Sequence, residues 1–138
     1  MPGQEVITEK LLRLLQYLQQ LEDTQPDTYD RYASDLTRRL ASERLIQLIV
    51  DIALDINNLM LSAHRCAPAS DYFNSFIDLA EAGVLDATFA VSIAPSTSIR
   101  NRLVHEYEKT DDRIVFASIP KFLALYRQYA DFINQASS

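Results

Sequence analysis

The sequence predicts an all-α protein, an antiparallel helical bundle of about five helices that occupies residues 1–138 as a single domain. Three observations lead there. Apolar residues recur at spacings of three and four along most of the chain, which is the period of a helix that buries one face. No stretch alternates apolar and polar residues long enough to demand a strand. Only two glycines, Gly3 and Gly83, are present, too few for the turns of a many-stranded sheet. Hydrophobic residues make up 48% of the chain, enough for a core that needs neither disulfide nor structural metal at this length.

Ile7, Leu11, Leu14, Leu18 and Leu21 step by four, three, four and three, so residues 5–21 form a first helix with one apolar stripe. A break at 24–27, marked by Pro26, closes it. The residues after the break start a longer periodic segment that reaches Ala63, with Leu36, Leu40, Ile46, Ile49, Val50, Ala53, Ile56 and Met60 on one long buried face, as a single helix with room for a kink. Pro68 ends the following loop. Ser70 or Asp71 then caps a short helix carrying Phe73, Phe76, Ile77 and Ala80, and Gly83 terminates it in a left-handed conformation. A further helical stretch over 86–93 is interrupted by Pro95, after which Ser96, Thr97 or Ser98 caps a helix running into Tyr107. Charged residues 109–112 make a turn. Asp111 or Asp112 caps a last helix with Val115, Ile119, Phe122, Leu123, Tyr126, Tyr129 and Ile133, in which Pro120 marks a bend or a later start.

Charge and composition exclude several classes. A net charge of -6 is at odds with an extended basic surface that grips nucleic acid along its length, so any RNA has to be met by a local patch. Ten arginines against three lysines suit such a patch, because the planar guanidinium binds phosphate with two hydrogen bonds. The lone Cys66 has no disulfide partner, and with His64 and His105 as the two histidines no zinc-ligand spacing exists, so no metal and no cofactor are expected. No apolar run approaches the roughly 20 residues of a membrane span, and Glu5 and Glu9 stand where a signal peptide is basic. The expected location is a reducing cytoplasm.

The stretch that carries chemistry is Ser98-Ile99-Arg100-Asn101-Arg102-Leu103-Val104-His105-Glu106-Tyr107-Glu108. An arginine five before a histidine arises by chance about once in seven chains of this composition, and adding a tyrosine two later makes the pattern roughly twenty-fold rarer. At about 100° per residue Arg100 and Tyr107 lie some 20° apart on one helix face, and Asn101 and His105 share the neighbouring face. Arg100 and His105 are then roughly 140° apart, which a two-fold dimer apposing this helix to its copy would remedy. Glu106 and Glu108, at i and i+2, do not face each other and read as surface charges. His64 reads as a solvated residue. Tyr17, Tyr29, Tyr32, Tyr72, Tyr126 and Tyr129 read as core or interface aromatics.

This string closely resembles the motif of the HepT branch of the HEPN superfamily, an arginine, four to six residues and a histidine, extended by a tyrosine. The resemblance continues through Glu43-Arg44-Leu45-Ile46-Gln47, Asp55-Ile56-Asn57-Asn58, Tyr72-Phe73-Asn74-Ser75-Phe76, Leu79-Ala80 and Gly83-Val84-Leu85, in the family's order and over nearly the full chain. Ser98 departs from the glycine and Leu59 from the histidine common at those places.

The resemblance implies a metal-independent endoribonuclease that is the toxin of a toxin–antitoxin pair. Arg100 and His105 are its catalytic residues, lining a cleft at a homodimer interface, with Asn101 orienting phosphate or the imidazole and Arg102 a further RNA contact. The implied partner is a minimal nucleotidyltransferase antitoxin that neutralises the toxin by transferring AMP to Tyr107. The competing expectation is a non-catalytic HEPN module that binds a nucleotidyltransferase or a nucleotide.

Overall fold

The computed structural model describes residues 3–105 and 110–137, and these contain no strand. The described elements are α1 (Gln4–Thr24), α2 (Tyr29–Ser34), α3 (Leu36–Ala63), α4 (Tyr72–Glu81), α5 (Ala87–Ile93), a 3-10 turn (Ala94–Ser96), α6 (Thr97–His105) and α7 (Asp112–Ser137). The five helices of nine residues or more form the bundle, and the short α2 and α5 join them. The long helix α1 packs along both α3 and α7 through the apolar stripe the sequence shows, and Ile7, Leu14, Leu21, Ile46, Ile49, Ile56, Phe122, Tyr126 and Ile133 are all fully buried. α4 and α6 lean against α3 and close one side of the core.

Capping residues set several boundaries, those of α4 and α7 as expected. Asp71 Oδ1 accepts a hydrogen bond from the Asn74 amide at the start of α4, and Asp86 Oδ2 accepts one from Phe89 N at the start of α5. Gly83 adopts φ +82°, which lets the Val84 amide turn back to the Leu79 carbonyl at 2.9 Å and finish α4. Asp111 accepts from Arg113 N through its side chain and from Val115 N through its carbonyl, opening α7.

The segment expected as one helix up to Ala63 is instead two. Asp35 is extended at φ -111° and ψ 93°, and its carboxylate caps α3 through the Arg38 amide, so α2 stops one residue earlier. Leu36 and Leu40, expected on the buried face, are 56% and 46% exposed. Leu40 lies six residues before Ile46, about 120° round the helix from the buried stripe. On the other side of the same turns, Arg38 Nη1 donates to the Thr24 carbonyl and Gln25 Nε2 donates to Ser42 Oγ, tying α3 to the end of α1.

Three further expectations are refined. Phe73, placed with the apolar residues of α4, is 45% exposed, while Phe76 is buried. α7 is continuous from Asp112 through Pro120, so the proline does not delay its start. α6 is entered directly from the 3-10 turn, with the Ser96 and Thr97 hydroxyls donating back to the Ile93 and Ala94 carbonyls.

The expectation about membrane length also needs correction. Among the described residues α3 alone is long and apolar enough to cross a bilayer, with a mean hydropathy of 1.5 over an 18-residue window. Half of its apolar window is buried against the other helices, as in the core helix of a bundle.

Candidate ribonuclease site

Arg100 projects from the middle of α6 onto α3 and α4. Its Nε donates to Asp51 Oδ1 at 2.9 Å, and its guanidinium carbon lies 4.5 Å from the centroid of the Tyr72 ring. The Tyr72 hydroxyl donates to the same Asp51 oxygen at 2.8 Å. One carboxylate oxygen therefore gathers a cation from α6 and a phenol from α4. The Arg100 side chain is only 15% exposed and that of Asp51 39%, so the pair sits at a rim with one side open to water. Partial burial, followed by the hydrogen bond to Asp51, raises the Tyr72 phenol above its usual value of 10.0, with Arg100 acting in the opposite direction. Tyr72 therefore remains a proton donor at neutral pH.

Anchoring continues into the core. Ser75 Oγ donates to the Tyr72 carbonyl, Asn57 Nδ2 donates to Ser75 Oγ at 2.8 Å, and the Tyr129 hydroxyl donates to Asn57 Oδ1 at 2.5 Å. Asn57, Ser75 and Tyr129 are buried, so α3, α4 and α7 are locked together directly beneath the Arg100 platform.

The other motif residues lie along the same helix. Asn101 is exposed, and its Oδ1 accepts from Arg100 Nη1 at 3.5 Å, the outer limit of a hydrogen bond. Arg102 is exposed, and its carbonyl accepts from the Thr110 hydroxyl. His105 is exposed, and among the described residues no hydrogen bond joins it to Arg100. Within one chain the structure thus brings together Arg100, Asn101, Asp51 and Tyr72, and leaves His105 on the open surface of α6. Tyr107, Glu106 and Glu108 lie outside the described residues. His64 is exposed, as expected, with Nδ1 2.9 Å from the Met60 carbonyl.

Asp51 and Tyr72 were not singled out by sequence reasoning. A signal existed for Asp51. It interrupts the apolar run Leu48-Ile49-Val50-Asp51-Ile52-Ala53-Leu54, and a carboxylate flanked by core positions calls for a cation or donors to satisfy it.

The all-α fold is shared with solved structures. The tri-AMPylated Shewanella oneidensis HEPN toxin, solved in complex with its MNT antitoxin, superposes with a TM-score of 0.85 at 18% identity, covering 94% of this chain and 97% of that one. The cytosolic protein YutE of Bacillus subtilis, of unknown function, gives 0.81 at 16% identity over 96% and 88% of the two chains. Sequence narrows the class further. The profile of the ribonuclease HepT-like family matches residues 14–135, and the chain belongs to that family of endoribonucleases. It is 39% identical over 130 residues to the tRNA nuclease HepT of Aphanizomenon flos-aquae, spanning 94% of this chain and 88% of that protein.

Proposed function

We propose that the chain, as one domain acting in the cytoplasm, is the toxin of a toxin–antitoxin pair. In this reading it cleaves RNA without a metal, using Arg100 and His105, and is silenced by AMP transfer to Tyr107 from a nucleotidyltransferase antitoxin. The observation that carries the reading is the fixed Arg100 guanidinium, held by Asp51 and stacked on Tyr72, on the helix that exposes Asn101 and His105. Transfer RNA is the substrate class favoured by the 39% identity to a tRNA nuclease.

The chemistry needs a base for the substrate 2′-hydroxyl, an acid for the departing 5′-oxygen and positive charge for the phosphorane. Imidazole serves either proton role near neutral pH, and a guanidinium stays cationic throughout. The 2′-oxygen attacks phosphorus as its proton passes to a base, the bond to the 5′-oxygen breaks, and that oxygen takes a proton from an acid. A 2′,3′-cyclic phosphate is left on the 5′ fragment. Two copies of His105 across a homodimer divide the acid and base roles, and the exposed position of His105 keeps it accessible to such a partner. Asn101 orients phosphate, and Arg102 adds an RNA contact.

The test is digestion of transfer RNA by unmodified protein beside His105→Ala, with EDTA present throughout. Wild type is expected to cut, the variant to lose about 100-fold or more in rate, as removal of a proton-transfer group does, and a 2′-deoxy substitution at the cut to resist. Activity abolished by EDTA and restored by magnesium would overturn the metal-free reading.

A further inference from the structure

We infer that Asp51 and Tyr72 are positioning residues for Arg100: together they fix the plane of the guanidinium and leave its Nη1–Nη2 edge as the one that meets phosphate. The inference rests on the reading of Arg100 as a phosphate-binding residue and adds how that residue is aimed.

A free guanidinium can bind an oxyanion side-on, through Nε and one Nη, or end-on, through Nη1 and Nη2. In this protein the side-on fork is taken. The Nε proton is committed to Asp51 Oδ1 at 2.9 Å, and one π face of the group is covered by the Tyr72 ring. Tyr72 does two things at once. Its ring supports the cation, and its hydroxyl donates to the same Asp51 oxygen, which stops the carboxylate from turning away. Its own backbone is pinned through Ser75, Asn57 and Tyr129. What remains for substrate is the end-on edge, where Asn101 Oδ1 approaches Nη1 at 3.5 Å from the same helix.

This arrangement separates aiming from binding strength. Asp51 cancels part of the charge that attracts RNA, so its removal does not weaken attraction for phosphate. The Arg100 side chain instead gains rotamers, and turnover suffers because the cation is no longer held where charge builds up at phosphorus. An ion pair with one partner partly open to water contributes little to folding, so the effect on catalysis is expected without loss of the bundle.

The experiment compares wild type, Asp51→Ala, Asp51→Asn, Tyr72→Phe and Arg100→Ala, each checked by circular dichroism and thermal unfolding, for kcat and KM on a defined RNA. A second readout, independent of cleavage, is the Nε–Hε signal of Arg100 in nitrogen-15 NMR of the uncleaved apo protein. For Asp51→Ala, kcat is expected to fall about 10- to 100-fold, as misplacement of a catalytic group does, with KM unchanged or lower. Asp51→Asn keeps an acceptor for Nε and should recover part of the rate. Tyr72→Phe keeps the ring and should sit between Asp51→Asn and wild type. The Hε signal should be protected from water exchange in wild type and lost in Asp51→Ala. If Arg100→Ala is inactive while Asp51→Ala turns over within twofold of wild type, the positioning role is overturned and the phosphate-binding reading stands. Full activity in Arg100→Ala ends both, even where Hε protection is seen. A rise in KM with kcat unchanged in Asp51→Ala, or an Hε that exchanges freely in wild type, also overturns the positioning role.

Discussion

Replacing Tyr129 by phenylalanine deletes one oxygen from the centre of the bundle, at the junction that supports the Arg100 platform. Tyr129 is fully buried, and its hydroxyl donates to Asn57 Oδ1 at 2.5 Å with the Ala53 carbonyl 3.3 Å away. Asn57 is equally dry, so no water replaces the lost donor. An acceptor stranded in this way costs about 1–3 kcal/mol, and a chain of this length loses about 3 °C of Tm per kcal/mol, so a fall of roughly 3–9 °C is expected. Changing Asn57 to leucine in the same molecule removes the stranded acceptor, while Ser75 Oγ still donates to the Tyr72 carbonyl. The double variant should therefore be less destabilised than the sum of the singles by about 1 kcal/mol.

Urea unfolding at pH 8 measures all three variants, and pH adds a second handle. Burial, and then repulsion from Tyr126, hold the Tyr129 phenol well above its usual 10.0. The unfolded chain therefore gives up this proton first as pH rises. The associated stability is complete below about pH 10 and is lost above it, at up to about 1.4 kcal/mol per pH unit for each such tyrosine. Burial raises Tyr126 in the same direction, against its hydrogen bond to Ser96. Wild type should lose stability between pH 9 and pH 11 more steeply than Tyr129→Phe. A phenylalanine variant within about 0.5 kcal/mol of wild type at pH 8, or one with an unchanged alkaline slope, would show that the buried network does not support the fold in this way.

Two further outcomes follow from the proposed function. The protein should be a homodimer whose cleavage rate falls as dilution drives it to monomer, because His105 stays on the surface of α6 apart from Arg100; a monomer in analytical ultracentrifugation that cuts at the full rate would refute the shared site. With its nucleotidyltransferase and ATP-Mg, the chain should gain adducts of about 329 Da on Tyr107, and Tyr107→Phe should cut RNA yet escape silencing; an adenylate mapped by mass spectrometry to another residue removes Tyr107 as the switch.

Local signals were legible in the sequence and contacts across helices were not. The stripe from Ile7 to Leu21, the Asp71 cap and the left-handed Gly83 each depend on residues within one or two turns of one another, and the structure has them. The break at Asp35 escaped because no proline or glycine marks it, and the flanking residues suit a helix. Its carboxylate chose between continuing α2 and capping α3, a choice settled by the packing of Arg38 and Ser42 against the end of α1. The site divides in the same way. Arg100, Asn101, Arg102 and His105 share a short string with a recognisable spacing. Asp51 reaches Arg100 across 49 positions and Tyr72 across 21, and helical periodicity carries no information about which turn of α3 faces which turn of α6.

The Arg100–Asp51 pair also bears on how a polyanion finds this surface. Among the described residues, Lys10, Arg38, Arg39, Arg100 and Arg127 are bound to carboxylates of the same chain, and the whole carries a net charge of -6. RNA drifting past therefore feels little long-range pull. Under the proposed function, encounters with RNA are expected at or below the unsteered rate of about 10⁵–10⁶ M⁻¹s⁻¹. On the same reading, attraction for RNA is left to short-range contacts at the site, where the carboxylate of Asp51 both offsets the charge of Arg100 and holds it still.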